Sequence, residues 1–235
     1  MKLPLAAAAT AAVALAAPPS AWPATLTPSP EKPCYRGGPD NDGEPVNLLG
    51  EGFSPSTTID VSRNGEPFGQ LMSDAEGAFN GLIQRLVQSS GQERRVYRAI
   101  DSVDPARRAS VRLLVTAVEV NLGPPDGVEP GRRLRIGARG FTSGRTLFAH
   151  IVREQTVRNM RIGRLRGPCR KLLAYKRLFG DKARVGTYKV QFDTSRGYSA
   201  RTPVKIPFRV TIRRVARRER AVARPTKAIA WTRRD

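Results

Sequence analysis

Eight basic residues fall within twenty positions: Arg158, Arg161, Arg164, Arg166, Arg170, Lys171, Lys176 and Arg177. Arginine presents a planar fork of donors that matches phosphate and carboxylate oxygens, and it stays charged at any ordinary pH. If the segment is extended, alternation puts many of these side chains on one outer sheet face. Rings are sparse here, with Phe148, Tyr175 and Phe179 the nearest, so stacking on nucleic-acid bases has little support. The chemistry that remains is attraction to a polyanion, weakened by salt. Nucleic acid would be held only non-specifically.

Other chemistries find fewer residues. His150 is the sole histidine, no Gly-x-Ser-x-Gly elbow accompanies it, and it reads as a satisfied strand histidine. No catalytic residue is assigned and the chain is read as a non-enzyme. Asp40, Asp42 and Glu44 are spaced like a weak calcium loop, but the glycine and the bidentate glutamate of an EF-hand are missing, so a solvated loop is expected. Cys34 and Cys169 are the only cysteines, too few with one histidine for a usual zinc site. No metal or cofactor is expected. The two cysteines are either separate buried thiols or a disulfide closing a loop of about 135 residues, and the bridge is the reading adopted.

The ends bound where such a chain works. Met1-Lys2 precedes an apolar run from Leu3 to Ala17, with Ala14-Leu15-Ala16 as an A-x-A cleavage candidate, the plan of a secretory signal peptide. The run is shorter than the ~20 residues a spanning helix needs. The expectation is a cleaved signal within residues 1–24, a mature chain without a membrane span, and a secreted or cell-envelope location.

Charge is unevenly placed. Residues 25–117 carry a net −2, residues 118–212 a net +15 and residues 213–235 a net +7. Arginines outnumber lysines 33 to 8, a bias that a GC-rich genome also produces, so composition and selection both remain open as its source. A strongly positive field in an exported protein meets wall polymers, acidic lipids and polysaccharides first.

The elements that must position these residues read as β throughout. Val46–Gly50, Thr58–Arg63, Glu66–Leu71, Ala78–Ile83, Val96–Asp101 and Ser110–Val120 alternate or are β-branched, and Gly, Pro, Asn and Asp separate them. An extended lead-in over 25–45 holds at most a first edge strand. Leu134–Ala138, Thr146–Arg153, Val157–Leu165, Arg170–Leu178, Thr187–Asp193 and Val204–Thr211 follow the same order. Asn64-Gly65 predicts a type I′ hairpin, and Asp74-Ala75-Glu76-Gly77 a turn capped by its aspartate. Gly52-Phe53 recurs as Gly140-Phe141, Glu76-Gly77-Ala78-Phe79 falls opposite Arg166-Gly167-Pro168-Cys169, and Tyr97 falls opposite Tyr188. The offsets of 88, 90 and 91 residues are one small sandwich domain long. In that register Cys169 matches Phe79 and is expected to face a core, and the tyrosines sit where a tyrosine corner would. A basic tail without regular structure is expected over 213–235, with at most a short helix at 215–223.

With Gly50-Glu51-Gly52-Phe53-Ser54-Pro55, Asp74-Ala75-Glu76-Gly77-Ala78-Phe79 and Ala138-Arg139-Gly140-Phe141-Thr142 in view, the chain resembles bacterial secreted proteins with two immunoglobulin-like β-sandwich modules. A remoter similarity is to neocarzinostatin-type apoproteins, whose paired disulfides this chain lacks. The resemblance implies an all-β fold of two tandem immunoglobulin-like sandwiches, at 25–117 and 118–212. The expected role is a non-enzymatic binding or structural one. The partner is an anionic cell-wall or envelope polymer, or a protein. The alternative is a small-molecule carrier of the neocarzinostatin type, which an open cleft would favour.

Overall fold

The computed structural model describes residues 23–39, 42–83, 85–123 and 127–213. The signal-like segment through residue 22 and the tail beyond residue 213 lie outside them, as does Asp40. The chain is all-β. Its first eight strands are β1 (Thr25–Ser29), β2 (Tyr35–Gly37), β3 (Val46–Glu51), β4 (Thr58–Arg63), β5 (Glu66–Met72), β6 (Phe79–Ile83), β7 (Gln92–Asp101) and β8 (Arg108–Ala117). Seven more follow: β9 (Glu119–Gly123), β10 (Leu134–Arg139), β11 (Thr146–Arg153), β12 (Thr156–Arg164), β13 (Leu172–Lys176), β14 (Gly186–Asp193) and β15 (Ile206–Ile212).

The first eight strands make two sheets, ordered β1-β3-β6 and β2-β8-β7-β4-β5. The last seven make two more, ordered β9-β10-β13 and β15-β14-β11-β12. The two sets match strand for strand, and the parallel β2–β8 pairing has its counterpart in a parallel bridge between Val128 and Ile212. Each pair of sheets encloses its own core. Leu26, Val46, Leu48 and Phe79 from one sheet meet Ile59, Tyr97, Leu113 and Val115 from the other. In the later set Leu134 and Ile136 meet Leu147, Ala149, Val190, Phe192 and Val210. These residues alternate along their strands because a half-buried strand points every second side chain inward. A strand-rich fold with this order, and with no α-helix among the described residues, has immunoglobulin-like sandwich character.

The turns repeat with the sheets. Gly52 and Gly140 both take left-handed backbone angles, φ 78° and 82°, and each sends the following phenylalanine into its core. The Phe53 amide donates to the Gly77 carbonyl, and the Gly140 amide to the Cys169 carbonyl. Gly77 and Gly167 are also left-handed. The Asp74 carboxylate accepts from the Glu76 and Ala78 amides at 3.1 and 2.7 Å, as the turn chemistry requires.

Three expectations need correction. The strand expected over Ser110–Val120 breaks at Val118, because the chain leaves the sheet of the first core after Ala117 and enters the sheet of the second at Glu119. The lead-in forms two strands, not one. Its prolines carry the chain across from β1, paired with β3, to β2, paired with β8, and Tyr35 pins the crossing by donating to the Pro30 carbonyl and accepting from the Lys32 amide. Cys169 is buried, but its side chain meets Cys34 and is not one of the residues of the second core.

Candidate functional site

Cys34 and Cys169 are joined in a disulfide. Cys34 stands just before β2 and Cys169 in the turn between β12 and β13, so the bond ties the first set of sheets to the second. The same junction holds two polar contacts. Glu44 accepts from the Thr142 hydroxyl at 2.8 Å while also taking Lys32 and the Arg36 amide. Glu119 is shared between the Gly91 amide and the Arg139 guanidinium. Glu44 is thereby committed to this junction and not to a calcium loop. Asp42 approaches Arg36 at 3.9 Å.

The turn that carries Cys169 also carries charge. Arg166 and Lys171 close it with a pair of backbone hydrogen bonds of 2.9 and 2.7 Å, and Arg170 adopts a left-handed φ of 51° to complete it. Arg166 and Lys171 are exposed. Arg161 and Arg164 lead into the turn from β12, where they pair with Phe148 and Thr146 of β11. Cross-strand partners share a face, so these two point away from the core. A bulge at Ile162 lets that residue turn inward between them.

The other three cations stand elsewhere. Arg158 pairs with Ile151, a core residue, so it points to the inner side of its sheet and donates to the Leu178 carbonyl. Lys176 pairs with Leu134 at the far end of β13, and Arg177 follows it. At about 3.3 Å per residue, Lys176 is roughly 16 Å along the strand from Lys171. The eight cations therefore divide: Arg164, Arg166, Arg170 and Lys171 at the disulfide-bonded turn, Arg161 further back on the same outer face of β12, and three at the opposite end of the same sandwich edge. The single outer face expected from simple alternation is not what forms, because of the bulge and the length of β13.

His150 is fully buried on the outer side of its sheet, beneath the segment that follows β14. Its Nε2 lies 3.0 Å from Oδ1 of the equally buried Asp193, and its Nδ1 lies 2.7 Å from the Asn159 side-chain amide. Gln191 donates to the other Asp193 oxygen at 2.7 Å, and the Ser195 amide donates to Oδ1 at 2.8 Å. Both ring nitrogens are thus engaged, and the network holds the covering segment down. Among the described residues no group of three or more His, Cys, Asp or Glu side chains could hold a metal ion. No helix among them is long and apolar enough to cross a membrane.

At the far end of the later set of sheets Tyr188 takes the tyrosine-corner position that its alternation marks, and Arg153, which spacing alone does not mark, joins it. There Arg153 lies over the Tyr188 ring, 5.1 Å from its centroid, and donates to the Tyr188 hydroxyl at 2.9 Å. That hydroxyl donates in turn to the Arg184 carbonyl at 2.9 Å, the bond of a tyrosine corner. A cleft of about 540 Å³ opens beside it.

No protein-family model matches the chain, and no curated protein matches it. Solved structures resemble it loosely. The human OSCAR ligand-binding domain is 17% identical over 80% of this chain and 95% of its own, with a TM-score of 0.32. The ectodomain of the teleost fish polymeric Ig receptor is 11% identical over 80% of this chain and 97% of its own, with a TM-score of 0.29. Escherichia coli alpha-2-macroglobulin activated by porcine elastase is 12% identical over 81% of this chain and 22% of its own, with a TM-score of 0.35. At such scores it is the strand order and pairing above that define the class, an all-β chain of immunoglobulin-like sandwich character.

Proposed function

We propose that this is an exported, non-enzymatic binding protein of two tandem immunoglobulin-like sandwiches, at about 25–117 and 118–212, that holds an anionic cell-envelope polymer through its second sandwich. The observation that carries the reading is the basic turn: Arg164, Arg166, Arg170 and Lys171 stand at a turn that a disulfide fixes to the neighbouring sandwich, with Arg161 on the strand that leads into it. A fixed turn presents its charges without first paying to order them, which favours binding to a repeating phosphate or carboxylate. Residues 118–212 hold 21 bases against 6 acids, so most of these cations have no carboxylate of their own to pair with. Export is supported by the signal-like N-terminus and by a bond between the only two cysteines, which needs an oxidising compartment.

The test is co-sedimentation of the full chain with purified bacterial cell walls. Retention at low salt, loss at high salt, and weaker retention of an Arg161→Gln/Arg164→Gln/Arg166→Gln/Lys171→Gln variant are expected. Absence of retention at low salt would overturn the reading. A second reading, a protein partner, has its own observation: Leu173 and Tyr175 stand exposed side by side on the outer face of β13. Retention that survives removal of wall phosphate and carboxylate polymers would favour it.

A further inference from the structure

The cleft of about 540 Å³ lies where the β11–β12 hairpin meets the connection from β13 to β14. Its floor is apolar: Ile151, Phe179 and Tyr188 are buried, and the Phe179 and Tyr188 rings are 5.0 Å apart. Four cations line its walls, Arg153 and Arg158 from the hairpin, Lys182 and Arg184 from the connection, against one carboxylate, Glu154. Glu154 lies 3.7 Å from Arg153 and its side chain is 82% exposed, so it leaves a net positive cleft.

Two of these cations are held in place. Arg153 is fixed by the Tyr188 ring and hydroxyl, and Arg158 by the Leu178 carbonyl. A guanidinium has five donors, and these contacts leave others directed at whatever enters. A volume within the usual range of about 300–1,000 Å³, an apolar floor and a few fixed polar groups are the features of a small-molecule site.

We infer that this cleft binds an organic anion: one carboxylate or phosphate head met by Arg153, Arg158, Lys182 and Arg184, on an apolar body laid over Ile151, Phe179 and Tyr188. The site is separate from the basic turn of the proposed function. Lys182 and Arg184 belong to the cleft alone, and Arg161, Arg164 and Arg166 to the turn alone.

Isothermal titration of the full chain tests it. The probes are 1-naphthoate and octanoate, with 1-naphthamide as the uncharged match and acetate as the charge without a body. Saturable 1:1 binding of 1-naphthoate or octanoate is expected, with naphthamide and acetate at least about tenfold weaker. Lys182→Gln/Arg184→Gln, two exposed changes outside the strands, should weaken the bound anion about tenfold, while Arg161→Gln/Arg164→Gln/Arg166→Gln leaves it unchanged. The inference is overturned if neither organic anion binds, if naphthamide binds as well as naphthoate, or if the Lys182/Arg184 double variant binds like the parent. Loss of wall retention in the turn variant, with naphthoate binding intact, separates the two sites whichever of them fails.

Discussion

Tyr97 and Tyr188 occupy matching points of their sheets, yet only one of them has its hydroxyl satisfied. Tyr97 on β7 faces Val111 of β8 and Arg63 at the end of β4, and Tyr188 on β14 faces Val210 of β15 and Arg153 at the end of β11. Arg153 stacks on Tyr188 itself and bonds its hydroxyl, whereas Arg63 stacks on Phe68, whose ring meets Tyr97 edge-on. Among the described residues the Tyr97 hydroxyl is buried with no partner in hydrogen-bonding geometry, although the Arg95 and Arg63 guanidinium groups lie near it. Burial pushes its pKa up, and the charges of Arg95 and Arg63 offset part of that rise.

The two tyrosines should respond oppositely to loss of the hydroxyl. Tyr188→Phe removes a bonded donor and acceptor and should cost about 1 kcal/mol. Tyr97→Phe removes an unsatisfied buried hydroxyl and should be neutral or stabilising by up to about 1 kcal/mol. Urea denaturation of both variants checks this, and equal losses would contradict the difference in bonding.

Asp101 should shape the acid limb of stability. Burial raises its pKa, but the amides of Ser54, Val103 and Asp104 donate to its carboxylate at 2.7, 2.9 and 3.2 Å and outweigh it, holding the group down at about 2. A lowered folded-state value means its contribution is complete above the ordinary 3.8 and is lost as pH falls toward about 2. Asp101→Asn should cost roughly 1–3 kcal/mol at neutral pH and flatten the decline across that window. An unchanged acid limb in the variant would show that other carboxylates set it.

Replacing both cysteines, Cys34→Ser with Cys169→Ser, opens a loop with a sequence separation of 135. The expected loss is about 2–5 kcal/mol. A reducing agent should lower the urea midpoint of the parent and leave the variant's unmoved. A parent midpoint insensitive to reduction would mean that the bond adds nothing to stability.

Local signals carried much of this architecture. Thr58–Arg63 and Thr146–Arg153 form as strands over the very residues that alternation and turn chemistry mark, and Gly52 and Gly140 take the left-handed angles that their Gly-Phe pairs require. What sequence spacing hid was set by distant partners. His150 reaches Asp193, 43 positions away, and Glu44 reaches Thr142, 98 away. A one-residue bulge at Ile162 redirected the arginines on β12, which no period of two could reveal. The cleft draws its cations from a hairpin and a connection more than twenty residues apart, so no single stretch of sequence displays it.

The salt dependence of wall binding tests the central claim most directly. For the full chain, the logarithm of affinity should fall linearly with the logarithm of salt concentration. The variant with Arg161, Arg164, Arg166 and Lys171 changed to Gln should bind more weakly and show a slope shallower by roughly one for each cation that contacts the polymer. A slope identical in parent and variant would mean that the disulfide-fixed turn does not touch the anion, and would contradict the account.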